Sequence, residues 1–291
     1  MSKRHLAGPL FTLLSLAFVM PPTDAAEPIR VMSFNLRYGS ANDGDNRWEL
    51  RKEFVAETVL ASDPDLLGTQ ETLGFQRDYL ADKLPGYTNL GVGREDGGDD
   101  GEMMAVFYKT ARFEPLDEGH FWLSESPEAV GSKSWDSSLP RMCTWVKLRD
   151  RAAPDARPIL FMNTHFDHRG PVARRKSAVL VRQMADRLGE GCDVIVTGDF
   201  NAAVDSDPYR ALVHAEPEAT RLVDTYAVSK PDDEPGEGTF SGFRATEIGG
   251  NRIDWVLVRG NWDVVSAKIN RAARDGQTPS DHFPVEAVLR R

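Results

Sequence analysis

The chain has 291 residues, 41% of them hydrophobic, which is enough for a sizeable core in one large domain or two small ones. Its 45 acidic residues outnumber 35 Lys and Arg, giving a formal net charge of −10. Such a chain gains no general attraction to nucleic acid or an anionic membrane, so a polyanionic substrate would have to be held by local basic groups or a cation. Two cysteines, Cys143 and Cys192, exclude a disulfide framework or a cysteine zinc cluster and leave open one bridge or two buried thiols.

Residues 1–26 read as a secretory signal peptide: Lys3 and Arg4 give the positive start, 10–20 the apolar run, and Ala25 with Ala26 a small-residue cleavage site. A spanning helix needs ~20 apolar residues, so no membrane span is expected and the mature chain, 27–291, reads as a soluble exported domain. No twin-arginine pair and no lipid-accepting cysteine accompany this leader.

The remainder alternates strands and helices. A strand at 29–35 is followed by an Asn/Asp/Gly loop at 42–46, which fails the calcium-loop pattern because Arg47 stands where Asp or Asn is wanted. A helix over 48–61, a strand at 65–69 and a helix over 75–84 come next, with Gln70 and Glu71 just past the strand. An acidic, glycine-rich loop at 94–102 leads into a strand at 103–108, putting Glu102 at its start, and 111–140 reads as irregular. Strands at 142–148 and 159–163, a helix over 172–188, and a strand over 194–196 ending at Gly198 follow. Asp199 and Asn201 lie two residues apart beyond it, so in extended backbone both would point to one side. A helix from 208 to about 215, an acidic loop at 231–238, a strand at 252–258 and a last strand from 285 to 289 complete the chain. No Pro/Ser/Gly linker or repeat divides it, which argues for one domain.

Asn35, Glu71, His165, Asp199 with Asn201, and Asp281 with His282 all fall just beyond apolar strand runs, where a sheet can gather distant side chains into one site. Each taken singly also fits a turn residue. Asp254 differs: a carboxylate inside Ile-Asp-Trp-Val-Leu-Val is costly unless paired, and His282 is a candidate partner. The sequence holds no phosphate-binding Gly-x-x-x-x-Gly-Lys loop, no Gly-x-Ser-x-Gly elbow and no His-Glu-x-x-His. The inventory is hard oxygen donors (Glu71, Asp281, Asn35), a carboxylate able to activate water (Asp199) and two histidines, a set suited to Mg²⁺ or Mn²⁺ rather than zinc. The His165/His168 spacing alone does not make a zinc site.

Asn35 in Ser-Phe-Asn-Leu-Arg, Gln70-Glu71, Asn163-Thr164-His165, Gly198-Asp199-Phe200-Asn201, Arg252-Ile253-Asp254 and Ser280-Asp281-His282-Phe283-Pro284-Val285, in this order, together resemble the endonuclease/exonuclease/phosphatase superfamily. The resemblance spans 29–291 and implies an α/β (α+β) fold of four layers, two packed mixed β-sheets with helices outside, as in deoxyribonuclease I. It implies a metal-dependent phosphoesterase in which water attacks a phosphate ester in line. Glu71 would be the main metal ligand, with Asn35 and Asp281 near the metal. Asp199 would activate the water, Asn201 orient it or the phosphate, and His282, held by Asp254, stabilise the transition state. His165 matches a second catalytic histidine and Glu102 its carboxylate partner. Finer motifs, including Phe121-Trp122-Leu123-Ser124, Ser134-Trp135-Asp136 and Asp167-His168 with Arg174, are similar to a bacterial and fungal subgroup of secreted or periplasmic members.

Arg37, Arg141 and Arg174 suit bidentate contact with phosphate oxygens, with surface salt bridges as the alternative; Trp135 is grouped with them as a substrate contact. A non-catalytic protein on this fold would have lost some of Glu71, Asp199, Asn201 or His282, and all are present. A nuclease would want a basic track; the acidic loops weigh against one, although Trp48, Trp122, Trp135, Phe240 and Phe243 offer stacking rings. No apolar hairpin marks a phospholipid substrate. The expectation is therefore a small phosphorylated metabolite or nucleotide, with a nuclease as the alternative and the oligomeric state open.

Overall fold

The computed structural model describes residues 27–230, 237–247 and 249–291. The leader at 1–26 and most of the acidic loop at 231–238 lie outside the described residues. In chain order the elements are β1 (Ile29–Asn35), α1 (Trp48–Ser62), β2 (Leu66–Gln70), α2 (Gly74–Lys83), β3 (Tyr87–Leu90), β4 (Val106–Lys109), β5 (Phe113–Trp122) and β6 (Met142–Asp150). There follow β7 (Ile159–His165), α3 (Pro171–Leu188), β8 (Asp193–Asp199), α4 (Asp207–Val213), β9 (Val223–Asp224), α5 (Thr225–Ser229), β10 (Asp254–Arg259), β11 (Asp263–Ile269) and β12 (Val285–Arg290).

The strands form two six-stranded sheets, ordered β11-β12-β1-β2-β4-β3 and β5-β6-β7-β8-β10-β9. Each is mixed, with one parallel pair near its middle, β1 with β2 and β7 with β8. Side chains alternate across each strand, and this decides the layers. Met32, Phe34 and Leu67 face α1 and α2, packing on Val55, Val59 and Leu80. Leu160, Met162, Val194 and Val196 face α3 and α4, packing on Val181, Met184 and Leu212. The opposite parity, Val31, Leu66, Phe161, Ile195 and Val256, fills the space between the sheets. Each such side chain, fully buried, contributes about 1.5–3 kcal/mol.

Followed along the same parity, the inter-sheet layer changes character rung by rung. Beyond the apolar rung come Ser33, Gln70, Asn163 and Thr197, all fully buried. Gln70 Nε2 donates to Asn163 Oδ1 at 2.6 Å and to Ser33 Oγ at 3.2 Å, Thr197 Oγ1 donates to Asn163 Oδ1 at 3.1 Å, and Asn163 Nδ2 donates to the Thr69 and Ala105 carbonyls. Gly68 is needed here because a Cβ would sit 2.2 Å from Thr197 Oγ1 and 2.6 Å from Asn163 Oδ1. One rung further stand Asn35, His165, Asp199 and Asp254, with Asp199 in register with both His165 and Asp254.

Several sequence expectations shift. The strand expected at 103–108 is β4, which begins at Val106, so Glu102 lies in the loop before an isolated bridge at Met103. The stretch read as irregular contains β5, ten residues long. Asp254 opens its strand rather than lying inside it. Both cysteines are buried free thiols, so no bridge forms between them.

Candidate active site

The C-terminal ends of β1, β2, β7 and β8 and the start of antiparallel β10 converge on one end of the sandwich. Asp199 closes β8, but Asn201 is not in extended backbone: its φ is +47°. The two residues therefore meet through a turn, in which the Asn201 backbone N–H donates to Asp199 Oδ1 at 2.9 Å. Arg37 (φ +64°) and Glu71 (φ +56°) are likewise left-handed just past their strands. Three non-glycine residues in this conformation, each costing about 1–3 kcal/mol, cluster where functional strain is commonly stored.

Asn35, fully buried, links two carboxylates through its amide nitrogen, donating to Asp199 Oδ2 at 2.9 Å and Glu71 Oε1 at 3.1 Å. Its oxygen accepts the Arg37 backbone N–H, and Glu71 Oε2 accepts that of Tyr38 at 2.7 Å. Asp281 is anchored by its neighbour Ser280, whose hydroxyl donates to the Asn35 carbonyl at 2.7 Å. Burial pushes the Asp281 carboxyl up and Glu71 adds to this, against His282 and Arg37, whose guanidinium is 3.6 Å away. Burial and the facing Asp254 carboxylate likewise raise Asp199 to about 7.

The two histidines are driven apart. For His282 burial opposes the charge, but Asp254, Asp199 and Asp281 outweigh it and hold the imidazolium well above its ordinary range. Its Nδ1–H donates to Asp254 Oδ2 at 2.9 Å, and Nε2 stands 3.8 Å from Asp199 Oδ2. His165 is held neutral by burial and by Arg141 and Arg94. Its Nε2 accepts from Asn201 Nδ2 at 2.9 Å, which leaves the proton on Nδ1. That atom is 3.8 Å from Glu102 Oε2 and makes no hydrogen bond. Glu102 is instead claimed by Arg94, whose Nη1 donates to it at 2.7 Å, a partner the sequence did not suggest.

A family model described as the endonuclease/exonuclease/phosphatase family matches residues 32–282. The chain belongs to this family. An endonuclease/exonuclease/phosphatase family protein from Bacteroides thetaiotaomicron is 35% identical, with 90% of this chain and 95% of that one covered and a TM-score of 0.81. The mannosyl-6-phosphatase Bt3783 of the same organism is 35% identical, with 90% and 99% covered and a TM-score of 0.80. TDP2 of D. rerio, complexed with single-strand DNA product, shares the fold at 15% identity, with 91% and 99% covered and a TM-score of 0.71. No curated protein matches the sequence.

Enzymes of the family are metal-dependent hydrolases of phosphoric esters, and the donors present fit a hard divalent cation. Carboxylate oxygens of Glu71 and Asp199 lie within 4.8 Å of each other, and Asp281 adds a further buried carboxylate, while His165, also within that distance, spends its Nε2 on Asn201. These groups line a cleft of about 320 Å³ together with Arg37, Glu102, Arg141, Asn201 and His282. Asn35 and Asp254 stand behind it as supports. Tyr38, Leu139, His168, Phe240 and Ile253 complete its walls; sequence reading met His168 only within a motif and Phe240 only as a stacking ring, and missed Tyr38, Leu139 and Ile253 because nothing local marks a wall.

Other expectations part company with the cleft. Arg174 does not line it; its Nη1 donates to the Asp167 carbonyl at 2.9 Å. Trp135 is also outside. Arg37 does line the cleft, but its guanidinium is already paired with Asp43 at 2.9 Å, which raises its pKa. Of the proposed stacking rings, Trp48 and Trp122 are buried, the latter donating Nε1–H to the Arg94 carbonyl, while Phe240 lines the cleft with its ring edge-on to His282.

Proposed function

We propose that the protein is an exported, Mg²⁺- or Mn²⁺-dependent phosphatase of small phosphorylated polyols, a sugar phosphate above all. The observation that carries the substrate class is the cleft itself: the phosphate-handling groups surround about 320 Å³, room at that end of the site for a phosphate and the ring that bears it. A 35% identical relative named a mannosyl-6-phosphatase supports the same reading.

Glu71 and Asp281 would hold the cation, with Asn35 fixing Glu71 against Asp199. A bound divalent ion neutralises charge on the phosphate. Asn201 and Asp199 place the attacking water, and Asp199 accepts its proton on Oδ2. Charged His282, oriented by Asp254, donates Nε2–H to a phosphoryl oxygen as negative charge accumulates there. Neutral His165 keeps the Asn201 amide in place. Arg141 lines the cleft with its Nη2 donating to His168 Nδ1 at 2.9 Å and its Nε 3.5 Å from Asp167 Oδ2, which fixes its guanidinium as a preformed positive charge for the phosphate.

A nuclease of the same mechanism is the second reading, favoured by Phe240, a 52% exposed ring beside His282 on which a base can stack. Hexose phosphates, inositol phosphates, nucleotides and single-stranded DNA, assayed side by side with Mg²⁺ and Mn²⁺, discriminate the two. Hexose phosphates should be hydrolysed with the highest kcat/KM, and chelation should stop turnover. A preference for DNA would reverse the order of the readings, and turnover that survives chelation would remove the mechanism.

A further inference from the structure

The cleft does not end at the phosphate-handling groups. A trough of about 610 Å³ continues from it, with Tyr38, Glu102 and Leu139 as shared walls, and runs between Phe75 and the loop at 95–101. Nothing in the hydrolytic mechanism uses it.

Its lining is of two kinds. On one side Tyr38 and Phe75 present rings that are 38% and 46% exposed. The Phe75 ring packs so closely on the Tyr38 loop that a Cβ at Gly39 would meet it at 2.8 Å, which fixes its position. On the other side are the carboxylates of Glu95, Asp99 and Asp100. Their loop is closed on itself by backbone bonds from Gly93 to Gly98 (2.7 Å), Arg94 to Glu102 (3.1 Å) and Glu95 to Asp100 (3.2 Å). The one cation in the trough wall, Arg94, is already paired with Glu102 and Glu95. Beside the shared Leu139, in the adjoining cleft, lies the Arg141 guanidinium, held by His168 and Asp167, a positive charge near the passage from cleft to trough.

Aromatic faces opposite carboxylates suit an uncharged polyhydroxylated ring: its C–H face lies on the aromatic surface and its hydroxyls donate to the carboxylates. A nucleic acid strand or a second phosphate would instead meet these carboxylates, of which Arg94 offsets Glu95 and Arg77 offsets Asp99 while Asp100 is left unopposed among the described residues. We propose that the trough is a second saccharide subsite, so that the preferred substrate is an oligosaccharide whose terminal unit carries the phosphate. This rests on the sugar-phosphate reading above and extends it from one ring to at least two.

The test compares kcat/KM for a hexose 6-phosphate, the corresponding disaccharide phosphorylated on its terminal hexose, single-stranded DNA, and para-nitrophenyl phosphate, which does not reach the trough. Wild type, Phe75→Ala and Asp99→Asn/Asp100→Asn are measured, and binding of the unphosphorylated disaccharide is followed by calorimetry. Wild type should favour the disaccharide phosphate over the monosaccharide by about tenfold or more. Both variants should remove that preference and weaken disaccharide binding, while para-nitrophenyl phosphate turnover stays within about twofold of wild type. Equal efficiency on mono- and disaccharide phosphates would overturn the subsite and leave the sugar-phosphatase reading standing. A uniform loss on every substrate would make the trough residues structural and also reject it. Preference for DNA over all sugar phosphates would overturn both.

Discussion

Asp199 receives hydrogen bonds from Asn35 and Asn201 and lies near both histidines, at 3.4 Å from His165 Nε2 and 3.8 Å from His282 Nε2. Its replacement therefore changes chemistry more than packing. Asp199→Asn, similar in shape, should keep the native melting temperature within a few degrees and lower kcat by about 10²–10⁴, the range for removing a general base. Wild-type kcat in this variant would place the proton acceptor elsewhere. Asp167 acts on stability instead. Burial alone would raise its pKa, but the Ser138 hydroxyl, the Gly170 and Arg169 backbone N–H groups and Arg141 outweigh this and hold it well below the carboxylate range. A depressed native value means that ionised Asp167 stabilises the fold above its unfolded pKa of about 4, and that the contribution is lost as pH falls through and below that value. Thermal melts should show Asp167→Asn destabilised near neutrality and the gap to wild type shrinking below about pH 4. A gap independent of pH would contradict it.

Among elements, β2 approaches the opposite sheet closely at Gly68. Gly68→Ala places a methyl against Thr197 Oγ1 and Asn163 Oδ1, two atoms already bonded to each other. Relief requires the sheets to part or the polar rung to rearrange, and overpacking of this kind costs about 1–3 kcal/mol. Denaturant unfolding should report that loss. Since the next rung holds Asn35 and Asp199, kcat should fall as well; a variant with native stability and turnover would show that the rung has slack. The edge strands behave differently. β3, β5, β9 and β11 end the two sheets, and all four escaped sequence reading. Edges need bury only one side, and β5 keeps the middle of Phe-Glu-Pro-Leu-Asp-Glu-Gly-His-Phe-Trp exposed, with Pro115 and Gly119 breaking any alternation. Their apolar pattern is too sparse to be seen without the partner strand.

At the scale of the whole molecule, the net charge of −10 is not spread evenly around the cleft. His282, Arg37 and Arg141 line the cleft beside Glu71, Glu102, Asp199 and Asp281, whereas Glu95, Asp99 and Asp100 flank the trough, so on the proposed reading a metal-bound compact dianion on a neutral body would be accommodated and an extended polyanion opposed. Among the described residues no helix is long and apolar enough to cross a membrane. Export is tested directly: material recovered outside the cytoplasm should begin near Ala26 or Glu27 on N-terminal sequencing, and an intact Met1 there would contradict the leader.

The central strands and the identities of the polar residues at their ends were legible in the sequence, because strands buried on both faces must be continuously apolar and any break in them is conspicuous. The six ordered motifs pointed to the endonuclease/exonuclease/phosphatase family, to which the chain belongs. What only the tertiary structure decided is which of these groups touch. Period-two alternation suggested that Asp199 and Asn201 share a face, yet the chain turns left-handed at Asn201 and joins them by a backbone hydrogen bond. Glu102 turned to Arg94 rather than bonding His165, and Arg174 faced a carbonyl outside the cleft. A buried charge takes whichever partner the packed register brings within reach, and that register is set by pairs far apart in the chain, 164 residues between Asn35 and Asp199 and 245 between Asn35 and Ser280. The trough beside the cleft is of the same kind: its rings and carboxylates come from separate loops, and only folding sets them opposite one another.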